Sequence, residues 1–148
     1  MILVPFKAEH FLALRPRIQP MQQVCAESMT PELAAGLETL PHTFTALQGD
    51  TVMACCGVLK MWEGRAHLWS YLAFDIGRHL LQATREVKTF LDAAPYRRYE
   101  AEISEGFEAS HRWIKLLGFK CETPEGMENF FDTGARGYLY SRMGSCRS

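Results

Sequence analysis

The stretch Ser110-His111-Arg112-Trp113-Ile114-Lys115-Leu116-Leu117-Gly118-Phe119 reads as the end of a helix and the residue that stops it. The helix runs from Phe107 to Leu117, and Gly118 stands where a chain leaving a helix turns left-handed, a conformation open to glycine. Upstream, Tyr96 to Ser104 is a strand, with Tyr99, Ala101 and Ile103 on one face and Arg98, Glu100 and Glu102 on the other. Before it, Ile76, Leu80, Ala83, Val87 and Leu91 recur at helical spacing from Asp75, an expected N-cap, to Ala94, where Pro95 forces an end. A strand ending at Phe74, that helix and the strand Tyr96–Ser104 can close a right-handed parallel crossover. Downstream, Phe119 to Glu122 and Gly137 to Met143 are candidate closing strands separated by a loop containing glycine and acids.

Toward the start of the chain the period changes. His42 to Gln48 alternates, Gly49-Asp50 supplies a turn, and Thr51 to Met61 is apolar and β-compatible, which makes a hairpin. Glu63-Gly64 is a second turn and Arg65 to Phe74 a third antiparallel strand, so the three form a meander. Met1 to Phe6 reads as a first strand, followed by helices over Lys7–Leu14, about Met21–Met29 and Thr30–Leu40. The last of these has a capping hydroxyl at Thr30 and Pro31 at its first position. No repeat, low-complexity tract or linker interrupts this order, so residues 1–148 are expected to form one domain.

The chain has 148 residues, 47% hydrophobic and 22% charged, and its 17 acids against 16 Lys and Arg leave a net charge of −1. A chain of this length buries roughly two thirds of its unfolded surface and needs no staples. Charge that is nearly balanced and spread along the chain argues against a nucleic-acid binder or a membrane-surface protein, so the expected partner is a small molecule or another protein. Five cysteines, Cys25, Cys55, Cys56, Cys121 and Cys146, show no repeated spacing, and Cys55-Cys56 sits in an apolar run that suits reduced core thiols. No membrane-spanning stretch or signal peptide is read, and a reducing cytoplasm is the expected location. His42, His67, His79 and Cys121 lack ligand spacing, so no metal is expected.

On two stretches the chain resembles the GNAT (Gcn5-related) N-acetyltransferase superfamily. One is the hairpin and strand His42–Phe74, with Cys56-Gly57-Val58-Leu59 followed after a turn by Leu68-Trp69-Ser70-Tyr71-Leu72-Ala73-Phe74; the other is Ser110–Phe119, similar to the family's helix ending in Lys, an apolar residue, Gly and Phe. More narrowly, the short loop after Phe74 and the Ser-His pair resemble compact acetyltransferase-like proteins of tailed bacteriophages, some of them virion components. The resemblance implies an α+β three-layer acyl-CoA N-acyltransferase fold, a mixed sheet of about six to seven strands with helices on both faces. It further implies acetyl-CoA as acyl donor and an unidentified amine acceptor, in a bacterial host cytoplasm or a virion; a homo-oligomer or a virion partner stays open.

In that family the cofactor's pantetheine lies along the strand matching Arg65–Phe74, at Leu72, Ala73 and Phe74, where an unpaired strand edge has groups to satisfy. Its pyrophosphate sits on the amides opening the next helix, here Gly77, Arg78 and His79. The sequence departs from the pattern: of the phosphate loop only Gly77 is kept, Phe74 replaces a polar residue, His79 replaces a small one, and Asp75 brings a carboxylate that would compete for the same amides. Arg78 can offset that charge or remain solvated.

Acetyl transfer needs a base for the ammonium proton and commonly an acid for the leaving thiolate. The family's usual acid is a Tyr where this chain has Ile114, and Phe107 stands at the helix-start position often taken by Asn; Ser110 and His111 are the nearby polar candidates. Glu102 is the geometric choice for base, with partnership to Arg97, Arg98 or Arg112 as its alternative. Glu100 lies deeper, and Glu63 and His67 flank the opposite strand. Trp62, Trp69, Tyr71 and Trp113 either line an acceptor pocket or belong to the core. Two readings follow, an acetyl-CoA-dependent N-acetyltransferase and a catalytically degenerate binding or structural protein on the same fold, and fold alone does not separate them.

Overall fold

A computed structural model describes residues 1–144. Its strands are β1 (Ile2–Pro5), β2 (Thr43–Gln48), β3 (Thr51–Trp62), β4 (Arg65–Leu72), β5 (Arg98–Ser104), β6 (Lys120–Cys121) and β7 (Gly137–Met143). They form one mixed sheet in the order β1-β2-β3-β4-β5-β7-β6. The helices flanking it are α1 (Ala8–Leu14), α2 (Gln23–Ala26), α3 (Pro31–Glu38), α4 (Leu80–Ala93) and α5 (Glu108–Leu116). The expected three-layer architecture and the meander are therefore present. The parallel partnership of β4 with β5 is present too, as the pairs Arg65–Arg98, Ala66–Tyr99 and His67–Glu100.

The chain divides into two compact units. The first comprises Met1–Leu59 with Trp69–Ala83, and the second Lys60–Leu68 with the residues from Thr84 on, so β3 and β4 run through both. In the first unit, Phe6, just after β1, and Phe11 of α1 meet the aromatic face of β4. The Phe6 ring stands edge-on to Trp69 at 5.7 Å, and Phe11 to Tyr71 at 5.2 Å. Such pairs add about 0.5–1.5 kcal/mol beyond their burial. Thr30 caps α3 as expected, its Oγ1 accepting from the Leu33 amide at 3.1 Å. Gly57 on β3 lies against β2 so closely that a Cβ there would meet the His42 carbonyl oxygen at 2.7 Å. Cys55 is fully buried, Cys56 half-buried and Cys25 exposed, and Cys146 lies outside the described residues. Burial pushes the Cys55 and Cys56 thiols up to about 12.

In the second unit, Tyr99, Ala101 and Ile103 of β5 are buried as their alternation requires, and Trp113 of α5 donates its indole N–H to Thr84 Oγ1 at 2.8 Å. The end of α5 follows the expected stop. Gly118 has φ +89°, its amide bonds the Lys115 carbonyl and the Phe119 amide bonds that of Ile114, the paired closure of a Schellman turn.

Four expectations need correction. The helix over Met21–Met29 breaks into a 3-10 turn, Pro20–Gln22, and the single turn of α2. The strand at Phe119–Glu122 shortens to Lys120–Cys121, and β7 lies between it and β5. β4 ends at Leu72, and Ala73 beyond it forms an isolated antiparallel bridge with Ile18. Asp75 does not cap the following helix, which opens with a 3-10 turn, Gly77–His79, that has no side-chain cap.

Candidate functional site

The six positions matched to a cofactor, Leu72, Ala73, Phe74, Gly77, Arg78 and His79, lie together in the first unit. The Ala73 amide donates to Met53 of β3 at 2.9 Å, so Leu72 and Phe74, one residue to either side, present their backbone groups to the opposite edge. That edge is expected to be unpaired. Instead, the segment Arg17–Gln22 fills it. The Leu72 amide donates to Gln22 Oε1 at 2.8 Å, and the Leu72 carbonyl accepts from the Gln19 amide at 3.0 Å. The Phe74 amide donates to the Arg17 carbonyl at 2.8 Å, and Gln22 Nε2 donates to the Ser70 carbonyl at 2.9 Å.

Arg17 also explains why Asp75 is not a cap. Its Nη2 donates to Asp75 Oδ1 at 2.7 Å while Nη1 donates to the Val52 carbonyl at 2.7 Å. The carboxylate is thus held away from the turn it precedes. Gly77 and Arg78 donate no backbone hydrogen bond to the described residues, and a Cβ at Gly77 would meet nothing within 4 Å. Arg78 is exposed, its Nε 3.5 Å from His79 Nε2. Two open amides at the start of a long helix beside a solvated guanidinium suit an anion. The residues present therefore fit a pyrophosphate at the turn, whereas the strand edge a pantetheine would need is already hydrogen-bonded.

The catalytic candidates lie in the second unit. Glu102 pairs with none of Arg97, Arg98 and Arg112; its carboxylate accepts from Nε2 of His67, and both side chains are partly exposed. The parallel register explains the meeting. His67 sits beside Glu100, and Glu102 is the next residue of β5 on the same face. Glu100 itself is buried between two guanidiniums, those of Arg65 and Arg98, and Arg98 reaches on to Glu122. Burial opposes ionisation of Glu100, but hydrogen bonds from Arg65 and then Arg98 outweigh it and hold the carboxyl below the usual range. Glu100 is therefore committed to ion pairs, while the base candidate Glu102 is committed to a histidine.

His111 has both ring nitrogens engaged. Nε2 lies 3.0 Å from the Ser104 carbonyl, which can only accept, so Nε2 carries the hydrogen and Nδ1 accepts from the Tyr140 hydroxyl at 2.7 Å. The Tyr138 ring stands edge-on to it at 5.3 Å, and the three residues line a cavity of about 340 Å³ with Glu105, Glu108 and Cys121. Ser110, one residue earlier on α5, is half-buried, and Ile114 is buried. Of the four aromatic candidates, Trp113 is core, Trp69 and Tyr71 pack on Phe6 and Phe11, and exposed Trp62 carries the Arg65 guanidinium 4.2 Å above its ring. Among the described residues no group of three or more His, Cys, Asp and Glu could hold a metal ion.

No protein-family model matches the chain, and no curated protein matches it in sequence. Solved structures do match. Ard1 from Thermoplasma volcanium superposes with a TM-score of 0.78 at 14% identity, covering 97% of this chain and 97% of that one. An aminoglycoside 6'-acetyltransferase type Ii gives 0.72 at 12% identity, with 97% of each chain covered. A GNAT-family acetyltransferase from Bacillus anthracis gives 0.69 at 15% identity, covering 95% of this chain and 93% of that one. The chain has the GNAT fold. Coverage is nearly complete in both directions, so the likeness extends over the whole architecture rather than a shared crossover unit. In this chain Ile114 is buried, Asp75 is tied to Arg17, and the β4 edge is closed by its own polypeptide.

Proposed function

We propose that the chain is an acyl-CoA-dependent N-acetyltransferase that acetylates a primary amine by direct attack. The observation that carries this reading is the His67–Glu102 hydrogen bond on two parallel strands of a GNAT fold. Glu102 accepts from Nε2, which fixes the tautomer and leaves the Nδ1 lone pair of His67 to take the ammonium proton of the acceptor. Glu102 then acts by orienting the imidazole and stabilising its charged form. Ser110 on α5 is the candidate acid for the leaving thiolate. Acetyl-CoA, when bound, supplies the activated carbonyl and the thiolate leaving group. Gly77 and Arg78 would hold its pyrophosphate through two open amides and one guanidinium, whereas the His79 amide already donates to the Ile76 carbonyl at 2.7 Å.

The test is thermal unfolding with and without acetyl-CoA. A ligand that binds only the folded chain at a hundredfold over its Kd adds about 2.7 kcal/mol, and no shift at millimolar acetyl-CoA would overturn the reading. Arg78→Ala is expected to reduce the shift.

A second reading, a binding or structural protein that keeps the GNAT fold without catalysis, in the manner of a virion component, is favoured by the filled edge at Leu72 and Phe74. It expects no acetyl-CoA shift.

A further inference from the structure

We infer that the segment Arg17–Gln22 is a displaceable latch that occupies the backbone edge of β4 and must leave it before an acyl-CoA can bind; this rests on the acetyltransferase reading above. The argument starts from what the segment copies. An extended ligand lying along Ser70–Phe74 would offer that edge carbonyls for the Leu72 and Phe74 amides, and donors for the Ser70 and Leu72 carbonyls. Arg17–Gln22 supplies all four. Its backbone serves Phe74 and the Leu72 carbonyl, and the single amide group of Gln22 serves Ser70 and Leu72 at once. Two occupants cannot hold the same hydrogen-bonding groups, so one excludes the other.

The segment is built to move more easily than a strand. It runs from the last residue of one three-residue 3-10 turn, Arg15–Arg17, through Ile18 and Gln19 to a second, Pro20–Gln22, and each turn carries a proline. Short 3-10 turns have poor hydrogen-bond geometry, and Pro16 and Pro20 lack the amides that would tie the segment into the sheet. Its hold comes from the two backbone bonds at Arg17 and Gln19, from buried Ile18, from Gln22, and from the Arg17 guanidinium on Asp75 and the Val52 carbonyl. That ion pair ends two residues before Gly77, at the turn where the phosphate fits, so the latch and the anion site share a boundary.

Two measurements decide the matter. Amide hydrogen exchange is followed at Leu72 and Phe74 in the free protein, and acetyl-CoA affinity is measured by calorimetry for the wild type and Gln22→Ala. A latch predicts that both amides exchange through a local opening well below the global unfolding limit, and faster in Gln22→Ala. It also predicts that Gln22→Ala binds acetyl-CoA about tenfold more tightly, because a larger fraction of the protein is competent to bind. Exchange of Leu72 and Phe74 only through global unfolding would overturn the latch, as would equal or weaker acetyl-CoA binding by Gln22→Ala. Local opening with no acetyl-CoA binding by either protein would keep the displaceable segment and overturn the acetyltransferase reading instead.

Discussion

Tyr140 on β7 donates its hydroxyl hydrogen to Nδ1 of His111 on α5 across 2.7 Å, while the same ring donates from Nε2 to the Ser104 carbonyl. This ties a helix to two strands through one imidazole. Replacing Tyr140 by Phe strands a half-buried acceptor, and the expected cost is about 1–2 kcal/mol in denaturant unfolding. The tyrosine also sets an alkaline limit. Burial first, then the neighbouring Cys121 and Glu108, raise its ionisation above the ordinary value of 10.0. The folded chain therefore keeps a proton that the unfolded chain gives up, so this stabilisation is complete below about pH 10 and is lost as pH rises through the folded value. Tm measured from pH 8 to 11 should fall less steeply in Tyr140→Phe than in the wild type.

Glu100 sets the acid limit of the second unit. Its folded pKa lies below the ordinary 4.5, so its contribution is present above that pH and is lost as pH falls through the folded value. Glu100→Gln leaves Arg65 and Arg98 facing a neutral partner and is expected to cost about 3 kcal/mol at pH 7. The same substitution should flatten the acid limb of the Tm profile below pH 4.5.

Gly57→Ala tests the packing of β2 on β3. A Cβ would approach the His42 carbonyl oxygen at 2.7 Å and Thr43 Cα at 2.9 Å, both backbone atoms that cannot rotate away. A loss of about 1–3 kcal/mol is expected by chemical denaturation, with the m-value unchanged. Gly77→Ala, where a Cβ meets nothing, serves as the neutral control.

The His67–Glu102 pair is tested by kinetics. Glu102→Gln and His67→Ala should each lower kcat by about a hundredfold, the lower end of what a positioned base contributes, while acetyl-CoA affinity stays the same. A rate that is undiminished in either variant removes the pair from the chemistry.

Local patterns carried the fold. The alternation of Tyr99, Ala101 and Ile103, the turn at Gly49-Asp50 and the stop at Gly118 each rest on neighbours a few residues apart, and the structure has all of them. What stayed hidden depends on partners far along the chain. Asp75 is a good cap by its surroundings, yet Arg17, 58 positions away, takes its carboxylate. Gln22 reaches Leu72 across 50 positions, and a side-chain amide that mimics a strand leaves no period to detect. Glu102 is legible as a polar residue near a strand end and His67 as one flanking the opposite strand, but their pairing depends on the parallel register, which neither strand specifies alone.

The two thiols in the middle of β3 give the protein a chemical clock. Cys55 is fully buried and its thiolate is suppressed at neutral pH, with the thiol pushed up to about 12, so an alkylating reagent added to the native protein should spare it while modifying exposed Cys25. Modification at Cys55 then records openings of β3, and the rate it approaches at high reagent concentration gives the opening rate of the sheet without an engineered labelling site.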